Sequence, residues 1–142
     1  MTVAERPVLR FSSLLIALTA LALPVSGCGP DEPDAPSEFS AESQDGAVAT
    51  SWGASSGDVS GYNVYRSTDS FQEVSEAQKV NGSLVEEPSY VDREVQNRTT
   101  YHYRVTAVTE SGGLLGIGGG SAESDPSNEV EKTPFSSPPD RP

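Results

Sequence analysis

The sequence predicts an all-β protein that folds as an antiparallel β-sandwich of about seven strands. Apolar and polar residues alternate in several short segments, and a period of two is typical of half-buried strands. The clearest run contains Tyr101, Tyr103, Val105 and Ala107. Gly, Asn, Asp and Ser residues separate the segments and favour turns. No convincing amphipathic helical stripe occurs after Cys28, so short strands joined by turns account best for this part of the chain.

Composition excludes several functional classes. The 142 residues include 21 acidic and 9 basic side chains, with a formal net charge of −12. A nucleic-acid partner is excluded because it would need a basic face on the protein. The single Cys excludes a disulfide framework and a Cys-based zinc site, and the single His excludes a His-pair metal motif. We therefore expect no metal and no cofactor.

Residues 1–27 have the organisation of a secretory signal peptide. Arg6 and Arg10 stand near the start, an apolar run follows, and small residues end the segment. A membrane-spanning helix is the alternative, but it needs roughly 20 apolar residues. The uncharged stretch over residues 11–25 is shorter than that and is interrupted by Pro24. The pattern therefore predicts a signal peptide that is removed.

The signal ends in Val25, Ser26, Gly27 and Cys28. These four residues resemble the lipobox of bacterial lipoproteins. The resemblance implies that the Cys28 thiol receives a diacylglycerol, that cleavage makes Cys28 the new N-terminus, and that this amine receives an N-acyl chain. Two or more acyl chains anchor a protein stably in a membrane. The alternative is a free Cys after an ordinary cleavage site, although an exposed thiol is a liability in an oxidising compartment.

The resemblance also implies a location. The protein is expected in the bacterial cell envelope, with the membrane as its partner through the lipid anchor and the folded part facing the periplasm or the exterior. In enterobacterial lipoproteins an Asp after the Cys favours inner-membrane retention, and Gly29 in that place favours the outer membrane. Residues 28–35 combine the acylated Cys with an acidic, Pro-rich stretch, which predicts a flexible tether.

Five sequence patterns follow the tether in a fixed order. They are Pro36, Trp52, residues 62–66, residues 90–92 and the run over 100–108. In this order they resemble a fibronectin type III domain over residues 36–134, which implies an immunoglobulin-like sandwich. The resemblance implies that Trp52 is the core tryptophan and that the Tyr101 hydroxyl bonds to backbone near Val95. An immunoglobulin domain proper would need paired Cys residues, which are absent.

The core must form without a disulfide. A domain of about 100 residues buries enough surface to fold alone. The predicted core side chains are Trp52, Tyr62, Val64, Tyr101, Tyr103 and Val105. Residues 135–142 contain little to bury and are expected to form a disordered tail.

One candidate binding site is a long Gly-rich loop over residues 109–127. Leu114, Leu115 and Ile117 are large apolar residues among glycines, and exposed apolar groups with a polar rim often mark contact sites. Loops at the end of a sandwich commonly bind partners. The alternative is that the leucines simply cover the open end of the sandwich.

A second candidate site is the outward face of two neighbouring strands, with Tyr65, His102 and Arg104. Tyr and Arg are common interface anchors and can stack on sugars. The alternative is an ordinary exposed cross-strand pair of Tyr65 and Arg104. His102 should face solvent, and its strand neighbours supply neither a nucleophile nor an orienting carboxylate, so no enzymatic activity is expected.

The sequence therefore predicts an envelope lipoprotein whose module binds or scaffolds without catalysis. The expected partner is an envelope protein or a polysaccharide. Two alternatives remain open, a carbohydrate-binding accessory module and a structural spacer without a dedicated ligand. Nothing in the pattern indicates an oligomeric state.

Overall fold

The computed structural model describes residues 30–112 and 119–136, and these residues form two antiparallel sheets. The strands are β1 (Ser37–Gln44), β2 (Ala47–Gly53), β3 (Gly61–Ser67), β4 (Gln78–Lys79), β5 (Ser89–Asp92), β6 (Tyr101–Ser111), β7 (Gly120–Glu123) and β8 (Val130–Lys132). One sheet has the order β1-β2-β5, and the other has the order β4-β3-β6-β7, with β8 also paired to β6. The described helical structure is one 3₁₀ turn, Val74–Glu76. The all-β antiparallel prediction is confirmed.

The predicted seven strands become eight because the last edge strand is interrupted. Pro126 lies between β7 and β8 and has no N–H to donate. Ser124 and Ser127 lie on either side of Pro126. In place of regular strand pairing, they bond to β6 through both backbone and side-chain atoms. Their N–H groups donate to Ala107 O and Val105 O, each at 2.9 Å. Their hydroxyls accept from the N–H groups of the same two residues, at 2.9 and 3.1 Å, so Val105 and Ala107 of β6 keep hydrogen-bond partners on this side.

The loop expected over residues 109–127 is shorter than predicted. β6 continues to Ser111, and β7 pairs back onto it from Val108↔Glu123 to Ser111↔Gly120. Pairing with a long neighbouring strand orders these residues although their sequence is rich in Gly and Ser. Leu114, Leu115 and Ile117 lie outside the described residues.

The predicted core is confirmed at all six positions. Trp52 is 6% exposed, and its ring packs edge-on against Tyr62 at 5.3 Å between centroids and tilted against Phe39 at 6.1 Å. The Tyr101 hydroxyl accepts a hydrogen bond from Gln96 N at 3.1 Å. This contact lies beside Val95, where the resemblance to the family places it.

A buried ion pair joins the two sheets. Arg66 Nη1 of β3 lies 2.7 Å from Asp92 Oδ2 of β5. The same oxygen accepts a hydrogen bond from the Tyr103 hydroxyl at 3.0 Å, and the other oxygen accepts from Glu94 N at 2.9 Å. The guanidinium stands 5.3 Å over the Tyr101 ring. Asp92 is therefore held by charge and by hydrogen bonds from three directions.

The chain enters and leaves the sandwich at opposite ends. β1 begins where Ser37 pairs with Gly53, and the described chain ends beyond β8, where Phe135 N donates to Gln44 O at 3.3 Å. Asn97 fastens this second end, because its amide donates to Asp45 and Ser136 at 2.9 and 3.1 Å. Phe135 is 51% exposed, and residues 137–142 lie outside the described residues.

Candidate functional site

The predicted binding face of β3 and β6 is covered by the protein itself. Tyr65 and Arg104 stand opposite each other in the register, as the alternation predicts. However, Tyr65 is only 8% exposed, and the side chains of His102 and Arg104 are 14% and 12% exposed. The expectation that these residues face open solvent is therefore wrong. Two segments distant in sequence close over them.

Tyr65 is held by a carboxylate from the edge strand. Its hydroxyl donates to Glu123 Oε1 at 2.7 Å, and Asn63 Nδ2 and Thr106 Oγ1 donate to the same oxygen. Burial, followed by the hydrogen bond and charge of Glu123, raises the pKa of Tyr65 to about 12. Burial acts to raise the pKa of Glu123, but the three hydrogen bonds outweigh it and lower that pKa. A phenol engaged in this way does not offer a free ring face to a sugar.

Arg104 closes the neighbouring part of the face. Its Nε donates to Phe71 O at 2.8 Å, its Nη1 donates to Ser127 O at 2.6 Å, and its guanidinium lies 5.8 Å from the centre of the Phe71 ring. Phe71 is 2% exposed. Arg104 therefore acts as a clamp between the segment after β3 and the segment before β8.

His102 has a carboxylate partner that the sequence did not predict. Its Nδ1 lies 3.1 Å from Glu129 Oε1, and its Nε2 lies 4.0 Å from Glu131 Oε2. Glu129 also accepts from Ser70 Oγ and from Phe71 N, each at 2.9 Å. Burial acts to raise the pKa of Glu129, but the Phe71, Ser70 and His102 hydrogen bonds outweigh it and lower that pKa.

This arrangement does not have the order of a hydrolytic triad. In a triad the imidazole stands between the hydroxyl and the acid, so that it can take the proton of the hydroxyl. Here the carboxylate of Glu129 stands between Ser70 and His102, and the second imidazole nitrogen faces Glu131. The cluster therefore serves to hold the segment over residues 70–71 against β6.

Alkaline solution is expected to destabilise the fold. Burial and then the charge of Asp92 raise the pKa of Tyr103, and the pKa of Tyr65 is raised to about 12. The unfolded chain loses these phenol protons first, from about pH 10 upward. The stability that these two protonated phenols contribute is therefore complete below about pH 10 and is lost as the pH rises through their folded-state pKa values.

The midpoint of urea unfolding, followed from neutral to alkaline pH, measures this loss. Tyr65→Phe removes one of the two groups and should make the alkaline decline shallower. A midpoint that stays constant up to about pH 11 would contradict the predicted burial of both phenols.

Sequence reasoning missed Glu123 and Glu129 as the acids that organise this face. Both stand in stretches that look like a loop and a terminal strand, where acids are abundant. Their partners are 17 to 60 residues away in sequence, so no local period reports them. Only the pairing of β7 and β8 with β6 brings them over the face.

A groove of about 750 Å³ lies at the end of the sandwich where the chain enters. Residues 30–34, 56–58 and 109–111 line it, and these three segments are termed the N-terminal end below. Pro33 is buried, and Asp34 Oδ2 accepts a hydrogen bond from Ser56 Oγ. The described part of the predicted flexible tether therefore lies against the sandwich. Burying proline costs little side-chain entropy, which favours this packing.

The N-terminal end carries one sign of charge. Its exposed carboxylates belong to Asp31, Glu32, Asp34, Asp58 and Glu110. Among the described residues no Lys or Arg side chain lines the groove. In residues 30–112 and 119–136, no group of three or more His, Cys, Asp or Glu side chains is placed to hold a metal ion.

Two other features of the sequence bear on the site. Cys28, the predicted lipidation residue, lies outside the described residues. The described part of the chain contains no helix with the length and apolar character needed to cross a membrane.

The two antiparallel sheets, the bond from Gln96 N to the Tyr101 hydroxyl and the interrupted last strand define an immunoglobulin-like module. The family model for the fibronectin type III domain matches residues 34–129, and the chain belongs to this family. A search of curated proteins finds no match.

Solved structures share the fold. An Fn3-like protein from Clostridium thermocellum is 25% identical, with a TM-score of 0.53, over 71% of this chain and 92% of that one. A β-1,2-glucanase from Parabacteroides distasonis is 22% identical, with a TM-score of 0.57, over 76% of this chain but 14% of that one. The FN1–FN3 domains of chicken CNTN1 are 19% identical, with a TM-score of 0.53, over 72% and 31%. The last two likenesses show the fold alone.

Proposed function

We propose that this protein is a lipid-anchored envelope protein that displays one fibronectin type III module for non-catalytic binding or scaffolding. The lipobox-like residues that end at Cys28 support the anchor. The structural observation that supports the proposal is the packing of residues 30–34 on the sandwich, because only Gly29 stands between Cys28 and this packed segment in the sequence. The described chain is already packed on the sandwich at residues 30–34, so an acyl group on Cys28 would hold the module directly at the membrane.

The outward face of β3 and β6 supports a role without catalysis. Its polar groups are used to hold loops in place, and the imidazole of His102 faces two carboxylates rather than a hydroxyl. General acid or base work needs a positioned partner and a cleft for substrate. A displayed module that engages a partner needs neither.

The two alternative roles differ in what they require. A carbohydrate-binding role would use Tyr65 as a stacking residue, and burial of Tyr65 under Glu123 leaves that residue unsuited to it. The β-1,2-glucanase contains a similar fold, which by itself assigns no sugar to this chain. A spacer role requires only the anchor and a stable module.

Replacing Cys28 by Ala is expected to abolish acylation and membrane attachment. Cells of a bacterial host that matures lipoproteins would be fed a clickable fatty acid, and the full chain would be followed in the membrane and soluble fractions. The native chain should carry the label and sediment with membranes, because two or more acyl chains anchor stably. C28A should carry no label.

Ser26→Thr serves as the control, because it changes the same four-residue motif but leaves the reacting Cys28 in place. This variant should still be cleaved and acylated. An unlabelled native chain in the soluble fraction would contradict the proposal. Cross-linking in the same membranes separates the roles, since a specific protein adduct supports binding and its absence leaves the spacer. Replacing Leu114, Leu115 and Ile117 together by Ser tests whether the Gly-rich loop contributes to that adduct.

A further inference from the structure

We infer that the N-terminal end of the sandwich contacts the lipid headgroup layer of the membrane that holds Cys28, so that the opposite end points away from that membrane. This inference rests on the proposed acylation of Cys28. It follows from chain length, from the packing of residues 30–34, and from the distribution of charge.

The first step is the length of chain between the lipid and the module. Cys28 is two residues before Pro30, and an extended chain spans at most about 3.6 Å per residue, or about 7 Å here. The polar region on each side of a bilayer is also about 5–7 Å thick. Pro30 would therefore lie at the outer edge of the headgroups or within them.

The second step is that Pro30 is not part of a free linker. Its ring is packed so closely on the β6–β7 hairpin that a Cβ added to Gly120 would meet Pro30 Cδ at 3.3 Å. Pro33 is buried, and Asp34 is bonded to Ser56. A free chain over residues 28–36 would allow about 29 Å of separation. The packed chain brings the whole N-terminal end to the membrane with Pro30.

The third step is the charge that meets the lipids. Five carboxylates line the groove, and among the described residues no Lys or Arg side chain lines it. Arg98 N donates to Pro134 O and Lys132 pairs with Tyr101, which places both residues at the far end. Ammonium groups of zwitterionic headgroups complement carboxylates, whereas anionic lipids repel them over a Debye length of about 8–10 Å.

The consequence is an orientation for the displayed module. Residues 93–98 and 134–136 form the end that points away from the membrane, and a soluble partner reaches that end without competing with lipid. Gly112 and Gly119 border a shallow groove with Ser60 and Glu110, so the described ends of the Gly-rich loop lie on the membrane side.

Hydrogen exchange of the backbone amides, measured on the mature chain without substitutions, tests this orientation. The chain over residues 28–142 would be coupled through Cys28, its only thiol, to a maleimide phospholipid in phosphatidylcholine vesicles. The control is the same chain capped with N-ethylmaleimide. We expect severalfold slower exchange over residues 56–58 and 110–112, no change over residues 93–98, and weaker protection when phosphatidylglycerol is added.

Protection over residues 93–98, or no protection at either end, would overturn the orientation. Coupling by maleimide does not depend on cellular acylation. A failure here is therefore distinct from a failure of the Cys28 labelling experiment, which would overturn the lipid anchor instead.

Energy transfer gives an independent measurement. Trp52 is the only tryptophan and lies five residues along β2 from Ala47, which pairs with Gln44 at the far end. The offset is about 17 Å along the strand. The efficiency of energy transfer from Trp52 to a dansyl-labelled lipid headgroup in the vesicle should exceed the efficiency measured in W52F/F135W. In that variant the donor is the tryptophan at position 135, which stands beside Gln44 at the far end. Equal or reversed transfer in folded proteins would overturn the proposal.

Discussion

Trp52→Ala is expected to lower the free energy of unfolding by about 3–5 kcal/mol, through loss of apolar burial and the cavity that remains. The ring is 6% exposed and packs on Phe39 and Tyr62 from both sheets. A domain of this size has a total stability of about 5–15 kcal/mol. The variant should therefore be close to unfolding at room temperature, as measured by urea denaturation followed by far-ultraviolet circular dichroism.

Two further variants make the result specific. Trp52→Phe should cost much less than the alanine variant, because most of the volume stays. The indole Nε1 also has no hydrogen-bond partner among the described residues, so its removal gives up no bond. Glu42→Ala, at an exposed position of β1, should change stability by less than about 0.5 kcal/mol. A loss below about 1 kcal/mol in W52A would contradict the core assignment.

The strands and core could be predicted from the sequence because they leave a local signal. Tyr101, Tyr103 and Val105 are separated by polar residues, and this alternation reports that one side of a strand is buried. All three are buried on β6. Without a disulfide the core depends on such side chains, so the pattern and the packing agree.

The residues that pack over the opposite face of the sheet leave no local signal in the sequence. Alternation correctly places Tyr65 and Arg104 on that side of the sheet, but exposure depends on what packs there from elsewhere. Phe71, Glu123 and Glu129 come from segments without a clear period. Their positions follow from loop closure and strand pairing, which are long-range properties.

The N-terminal segment shows how composition can mislead. Three prolines and three acids over residues 29–36 predict a solvated linker, since nothing apolar and large is present. The structure buries Pro33 and Pro36. Proline has little freedom to lose on packing, so a segment of this composition can lie against a rigid surface at small cost.

The ion pair of Arg66 and Asp92 is a third feature that the local pattern does not report. Arg66 lies on β3 and Asp92 at the end of β5, so the pair exists only once the two sheets are assembled. Asp92 is 1% exposed, and charges buried to that degree must be paired.

Asp92→Ala is expected to cost about 3–5 kcal/mol, because it leaves the Arg66 guanidinium without its partner charge in a largely buried position. The Tyr103 hydroxyl and Glu94 N also lose their acceptor. Arg93→Ala is the matched control, since this neighbouring side chain is exposed, and its effect should stay within about 0.5 kcal/mol.

The double variant R66M/D92L separates the value of the charge pair from the cost of an orphaned charge. Replacing both charges by apolar side chains often restores stability, because the desolvation cost of the pair disappears with its attraction. We therefore expect the double variant to be more stable than D92A, as measured by the same urea unfolding experiment. If D92A matches the R93A control, or if the double variant is the less stable, the pair does not hold the sheets together as the geometry indicates.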